Sequence, residues 1–502
     1  MARLPTVGGD SGNWGTILNE YLGTAHNTDG TLKLDVKTIA DLKAVDVATL
    51  TDKQQALVAG YSAPGDGGGG QFYYDVAASD ADNGGTVIAP TAGIGRWKRV
   101  YSGAINVRWF GAKGDDDGAG GGTDDTAAFT SAISASSLVF VPAGVYKITN
   151  TLSLTSGKKL VSSEDATVAL SGSGSIVMTQ LEASLKGLII RALPGYSGTA
   201  VTIAGETGST ISTKIQNCSF VGLDVTGTAV LISSTVASKP VIFFNITDCS
   251  FKGWQYGIRI VASVASGSVY CNGGNASNLL FWGNYSYGIH MSTSGAGATE
   301  CSGNNFTNIQ MQTAVSVQKA ITLTGGKCHH NSVANLMLWD VSLSANQPLI
   351  TVDAGCYANY FEGCFGEDGV NYSIDPAGNT VFARVFQYAT AATLKLANRT
   401  VAVGAATIGR ISDVTVGATT YDVTTKEMVK FVNTAPVAFT NFITPLSGAS
   451  VGRRLLVLGD GQTTITPTEN ATLGKIWGSP FLLANYVMYE FVYMSGYWFR
   501  LT

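Results

Sequence analysis

NASNLLFWG (275–283), NFTNIQMQT (305–313) and SVANLMLWD (332–340) are three versions of one phrase. Each carries an asparagine at its fourth place, Asn278, Asn308 and Asn335, followed by apolar residues one and three positions later. The same place is held by Asn217 in NCSFVG (217–222), Asp248 in DCSFKG (248–253) and Gly363 in GCFGED (363–368), so the column advances by 31, 30, 30, 27 and 28 residues. The seven cysteines keep the same beat. Cys271, Cys301, Cys328 and Cys356 each stand seven residues before a column position, and Cys218, Cys249 and Cys364 each follow one directly. A period of this length built from short apolar strands is the mark of stacked coils. It predicts a solenoid of parallel β-strands, with function on its outer surface.

Strand alternation places Cys218 and Phe220, Cys249 and Phe251, Leu279 and Phe281, Ile309 and Met311, and Leu336 and Leu338 inside. A second strand recurs in each coil: GIRI (257–260), GIHM (288–291), AITL (320–323), LITV (349–352) and NYSI (371–374), with Ile258, Ile289, Ile321, Ile350 and Tyr372 stacked inward. An asparagine column has a physical use, because each carboxamide can bond its neighbour on the next coil and satisfy backbone groups in the turn. The cysteines read as small buried hydrophobes; no spacing matches a zinc site, and no metal or other cofactor is expected.

Composition agrees with a turn-rich β protein. Only 13% of the 502 residues are charged, against about 25% in ordinary domains, and there are 61 glycines. A hydrophobic share of 45% argues against disorder. The net charge of −4 gives no reason to expect nucleic acid or an anionic membrane as partner. No apolar run is long enough to span a bilayer, and MARLPTVGGDSGNWG (1–15) lacks the features of a signal peptide, so release by lysis is expected. No Walker loop or GxSxG is present, and the glycine run at 65–70 lacks the Lys-Ser/Thr of a phosphate loop.

Four regions are expected. Residues 1–35 form an attachment segment in which NWGTILNEYL (13–22) makes a short amphipathic helix. Residues 36–105 form a neck domain, with a second helix at DKQQALVAGY (52–61) and strands at QFYYDV, GTVIAP and GRWKRV. Residues 106–395 hold the β-helix, opened by a helix at Thr126–Ile133 that Asp124 or Asp125 caps and that covers the first coil. Residues 396–502 lose the repeat and read as a compact antiparallel β domain.

NVRWFGAKGD, TDDTAAF and VFVPAGVYKI, in that order within 106–150, resemble the start of the pectate-lyase-like right-handed β-helix superfamily. GYSAPGDGGGGQFYYD, DNGGTVIAP and GRWKRV are similar to the corresponding part of bacteriophage tailspikes in that superfamily, and residues 4–33 are similar to N-terminal segments of phage tail proteins. The resemblance implies an all-β protein, a right-handed parallel β-helix with an N-terminal attachment region, a capping helix and a C-terminal β domain. It also implies a homotrimer, attached through its N-terminus to a phage tail or baseplate protein and carried on the virion tail after assembly in the host cytoplasm. The ligand it implies is a bacterial surface polysaccharide. The superfamily includes glycosidases, lyases and non-catalytic binders, so a receptor-binding fibre or structural tail component and a polysaccharide lyase stand as alternatives to a glycosidase.

Outward positions on adjacent coils lie about 4.8 Å apart. Four residues after the asparagine column come Trp282, Gln312, Trp339 and Glu367, and one further come Asp340 and Asp368. Asp340, Glu367 and Asp368 are the candidate catalytic group. Glycoside hydrolysis uses two carboxylates about 5–5.5 Å apart (retaining) or about 6.5–9.5 Å apart (inverting), and carboxylates this close share a proton, which keeps one of them acidic near neutral pH. Trp282, Trp339 and Gln312 are candidate sugar contacts. A second acidic pair, Asp353 and Asp375, follows the second strand, where a turn role competes. Glu300, beside Cys301, has no stacked partner on this alignment. His290, His329 and His330 read as surface residues, and none of Lys252, Arg259, Lys319, Lys327 and Arg384 aligns beside the acidic group, which favours a hydrolase over a lyase.

Overall fold

The structure is a computed structural model and describes residues 4–22, 34–206, 208–283, 286–312, 318–339, 350–353 and 355–366, and beyond these only strands. The chain divides into two compact units, Met1–Ala229 and Val230–Thr502.

The first unit opens with α1 (Trp14–Leu22), the expected short helix, which buries none of its residues. A five-stranded sheet follows, in the order Asp35–Val36, Gln55–Val58, Gly70–Asp75, Arg96–Arg99 and Val87–Ile88. The helix expected at 52–61 is absent and Gln55–Val58 is a strand. Its burial alternates, with Ala56 and Val58 inside and Gln55 and Leu57 outside, because it pairs antiparallel with Gly70–Asp75. The helix of this region is α2 (Ile39–Ala44). It is set by a capping box: the Thr38 hydroxyl accepts from the Asp41 amide at 3.2 Å and the Asp41 carboxylate accepts from the Thr38 amide at 3.0 Å.

The glycine run has a structural job. The buried Arg99 guanidinium donates to the carbonyls of Gly68, Gly69 and Gly85 at 2.7, 2.6 and 2.9 Å, and it lies 4.5 Å from the centre of the Phe72 ring. A side chain at Gly69 would meet the Val58 carbonyl at 2.4 Å. Burial lowers the Arg99 pKa to about 10, which leaves it cationic at neutral pH.

α3 (Thr126–Ala135) stands before the first coils and packs against Leu138–Phe140 and Thr151–Leu154. Phe129, Ala132 and Ile133 form its buried face, and Phe129 meets Tyr146 edge to face at 5.3 Å. The two candidate caps divide the work. Asp124 accepts from the Thr126 amide at 3.0 Å and the Thr149 hydroxyl at 2.6 Å. Asp125 turns away from the helix to accept from the amides of Lys113 and Gly114 at 2.7 and 3.0 Å. Beyond α3 the strands pair parallel, Lys159–Leu170 with Ser184–Ala192 and Ser184–Ala192 with Lys214–Gln216.

The second unit holds the coils that the repeat defines. Asn245–Ser263, Asn275–Trp282, Asn305–Gln312 and Ser332–Trp339 pair parallel in unbroken register: Phe251 with Phe281, Phe281 with Met311, Met311 with Leu338. Tyr287–Ser294, Lys319–Thr324, Ile350–Val352 and Tyr372–Ile374 form the second column of strands. Ser268–Asn272, Ala298–Ser302 and Cys328–His329 form a third. Ile258, Ile289, Ile321, Ile350 and all seven cysteines are buried, as the alternation required; the Tyr372 side chain lies outside the described residues.

Asn217, Asp248, Asn278, Asn308, Asn335 and Gly363 all have φ between 54° and 61°. This is the left-handed turn conformation that asparagine, aspartate and glycine tolerate. The amide of Asn278 donates to Asp248 at 3.0 Å, that of Asn308 to Asn278 at 3.2 Å and that of Asn335 to Asn308 at 3.1 Å, so the predicted ladder exists.

A second asparagine ladder stands three residues after the cysteines. Asn304, Asn331 and Asn359 are buried. Asn331 Oδ1 accepts from the backbone amide and side chain of Asn304 at 3.1 and 3.0 Å, and Asn359 Oδ1 does the same for Asn331. Their Nδ2 groups donate at 3.0 Å to the carbonyls of Cys271, Cys301 and Cys328. Gly274 takes the place one coil earlier, where a Cβ would enter the buried Phe244 ring at 2.0 Å.

The C-terminal β domain contains an eight-stranded sheet. Its pairing is mixed rather than wholly antiparallel. Arg454–Leu458, Met488–Met494 and Tyr497–Arg500 run antiparallel, whereas Ile411–Val414, Met428–Phe431 and Arg454–Leu458 run parallel.

Candidate functional site

The residues proposed from sequence fall into two groups. Asp340, Glu367, Asp368 and Asp375 lie outside the described residues. Trp282, Gln312 and Trp339 occupy strand ends of the first column of the second unit, as the alignment placed them. Gln312 is the register partner of Trp339, and Lys252 that of Trp282. Trp282 is 40% exposed, and the Lys252 ammonium sits 4.4 Å from its ring centre. Asp353 is exposed just after Ile350–Val352, and its carbonyl accepts from the Cys356 amide at 3.1 Å, which is the turn role that competed for it.

His290 is not a plain surface residue. Its ring stacks within 5.1 Å of Tyr287 and 5.5 Å of Tyr256, and those two tyrosines stack on each other at 4.9 Å. Arg259 lies over Tyr256 and Lys319 over Tyr287. Burial, then the charges of Arg259 and Lys319, lower the His290 pKa to about 4.

A concave site lies on the third column of strands. The cysteines Cys271, Cys301 and Cys328 point inward there, so the residues on either side of each point outward. Tyr270 is the register partner of Glu300, and Lys327 follows next, one residue before Cys328, the partner of Cys301. Asn272, Ser302 and His329 form the neighbouring outward column. Glu300 therefore has stacked partners, contrary to the alignment on the asparagine column. Tyr270, Glu300, Lys327, His329 and Tyr357 line an open cavity of about 460 Å³.

Glu300 is held in place: its Oε1 accepts from Asn272 Nδ2 at 3.0 Å and from the Ser302 hydroxyl. His329 Nε2 lies 3.8 Å from the same oxygen. The His329 ring stacks on Tyr357 with centres 4.6 Å apart and planes 19° from parallel, and its Nδ1 meets His330 Nδ1 at 2.9 Å. Burial holds the His329 imidazole below its ordinary pKa, although the Glu300 carboxylate acts the other way. A carboxylate, an imidazole, an ammonium and two tyrosines thus converge on one cleft. The signal in the sequence was the pair of residues flanking each cysteine.

Residues 35–102 match the family described as a phage tail protein small four-stranded β-sheet domain. Residues 104–338 match the rhamnogalacturonase A/epimerase, pectate lyase-like family. Among curated proteins the chain is 27% identical over 297 residues to depolymerase 1, capsule K3-specific, of Klebsiella phage KP32, a match that covers 55% of this chain and 31% of that protein's length. Among solved structures, the enzymatically active domain of bacteriophage CBA120 tailspike protein 2 is 17% identical, with a TM-score of 0.44, covering 86% of this chain and 55% of that one. A tailspike of Acinetobacter baumannii bacteriophage Fri1, a capsular polysaccharide depolymerase, is 14% identical, with a TM-score of 0.40, covering 72% of this chain and 76% of that one. The resemblance to bacteriophage tailspikes with a pectate-lyase-like β-helix, carried by the motifs at 61–150, is borne out.

Proposed function

We propose that the protein is a phage tailspike that recognises a bacterial surface polysaccharide, capsule or O-antigen, and depolymerises it by glycoside hydrolysis. One observation carries the reading: a phage-tail β domain at 35–102 runs directly into a pectate-lyase-like segment at 104–338, in a chain related to a capsule depolymerase. The N-terminal region attaches the protein to the tail, and its exposed helix α1, with Trp14 half exposed, offers an apolar stripe for that contact. The working form is a homotrimer on the virion tail. Sedimentation of the full chain should give three times the 52.2 kDa chain mass, and a monomer at micromolar concentration would overturn that part.

The chemistry is assigned to Asp340, Glu367 and Asp368, with Trp282, Gln312 and Trp339 along the sugar path. One carboxylic acid protonates the glycosidic oxygen while a second carboxylate attacks the anomeric carbon or activates water. The test is release of reducing ends from purified capsules and O-antigens. Asp340→Asn and Asp368→Asn should each lower the rate by about a hundredfold or more. Full activity in both variants removes these residues from the mechanism. Products that absorb in the ultraviolet as unsaturated sugars would assign the reaction to elimination, and binding without new ends would leave a receptor-binding fibre.

A further inference from the structure

The Glu300–His329 cleft lies on a different sheet from Trp282 and Trp339. Its lining says what kind of ligand fits. Glu300 supplies a fixed acceptor, pinned by Asn272 and Ser302. Lys327 supplies a donor and makes no ion pair among the described residues. Tyr357 and Tyr270 are 42% and 36% exposed, so each presents ring surface at the rim. A free anion would face the Glu300 carboxylate, and a free cation would face the Lys327 ammonium, so neither sign of charge is favoured across the cleft. A neutral ring with hydroxyls on its edges and C–H groups on its faces satisfies all of these groups together. Its hydroxyls bridge carboxylate and ammonium while its apolar face lies on an aromatic ring. The volume of about 460 Å³ is within the usual range for a small-molecule site.

We propose that this cleft is a second saccharide-binding site, which holds a neutral pyranose unit of the polysaccharide between Glu300, Lys327 and the Tyr357–His329 stack. The proposal rests on the reading of the protein as a glycan-binding tailspike, and it adds a grip on the polymer on a different sheet from Trp282 and Trp339. A polymer held at both places stays on the protein between cuts, because the second contact is made at high effective concentration once the first exists.

The test is calorimetric titration of the full-length protein with size-fractionated oligosaccharides from a panel of purified bacterial capsules. Glu300→Gln keeps the shape and the hydrogen-bonding edge but loses the charge, and Tyr357→Ala removes the platform. Each should weaken binding by about tenfold or more, from the loss of a charge-assisted hydrogen bond or a stacked face. Tyr357→Phe should recover most of the affinity lost in Tyr357→Ala, which a purely structural defect repaired by a hydroxyl would not do. Unchanged melting temperatures identify folded variants, and Lys327→Gln serves as the second reporter where Tyr357→Ala fails to fold. Affinities of Glu300→Gln and Lys327→Gln within about twofold of the parent overturn the second site and leave the tailspike reading intact. A parent protein that binds no glycan on the panel overturns both. Displacement of bound sugar by millimolar inorganic phosphate would identify an anion site instead.

Discussion

His290 shows how a single residue can set a pH response. Its ring is packed against Tyr256 and Tyr287 with Arg259 and Lys319 close by, and its pKa is depressed to about 4. The folded protein therefore keeps this histidine neutral where the unfolded chain protonates near pH 6.5, so the unfolded state binds the extra proton. The stability it contributes is complete above about pH 6.5 and falls away as the pH drops toward about 4, by up to about 3 kcal/mol per chain. His290→Gln should flatten this acid limb of the melting-temperature profile, and an unaltered slope would assign the acid sensitivity to other groups. Glu300 teaches a different lesson at the same scale. Aligned on the asparagine column it was an isolated loop acid. Aligned on the cysteine column it has Tyr270 and Lys327 above and below it. The side chains that build the cleft were legible, but only to a reading that took the inward cysteines as the frame and asked what points the other way.

Elements were legible in proportion to how strictly their period binds them. The coils repeat a turn whose backbone must be left-handed, so Asn278, Asn308 and Asn335 declare their own register, and the stacked strands follow. The segment 52–61 offered no such constraint. Its apolar residues suit one helical turn as well as two strand positions, and pairing with Gly70–Asp75 decided the matter. The buried ladder of Asn304, Asn331 and Asn359 is where neighbouring coils depend on each other most directly. Asn331→Ala would strip the buried amide of Asn304 of its partner and take a side-chain donor from the carbonyl of Cys301. The orphaned amide costs about 1–3 kcal/mol and the lost side-chain hydrogen bond about 1 kcal/mol, so a loss of about 2 kcal/mol or more is expected. Chemical denaturation of the variant beside Asn308→Ala checks this, because the exposed ladder should respond less. Equal effects would mean that water already serves the buried groups.

The whole molecule carries seven cysteines, all buried and none in a disulfide. The neighbouring Cys271 sulfur and burial hold the Cys301 thiol well above its ordinary pKa, and burial pushes Cys364 up to about 12. Such thiols react slowly because little thiolate forms and no reagent reaches it. A chromogenic disulfide reagent should therefore titrate none of the seven in the native protein and all seven in denaturant; prompt reaction of the native form would show that the coils open readily. The same coils have a direction. The amide of Asn304 donates to Asn331, and that of Asn331 to Asn359, so each winding borrows a bond from the one made after it. On the ribosome this stretch consequently cannot finish a turn until nearly thirty more residues have emerged, and the growing end is always the unfinished one.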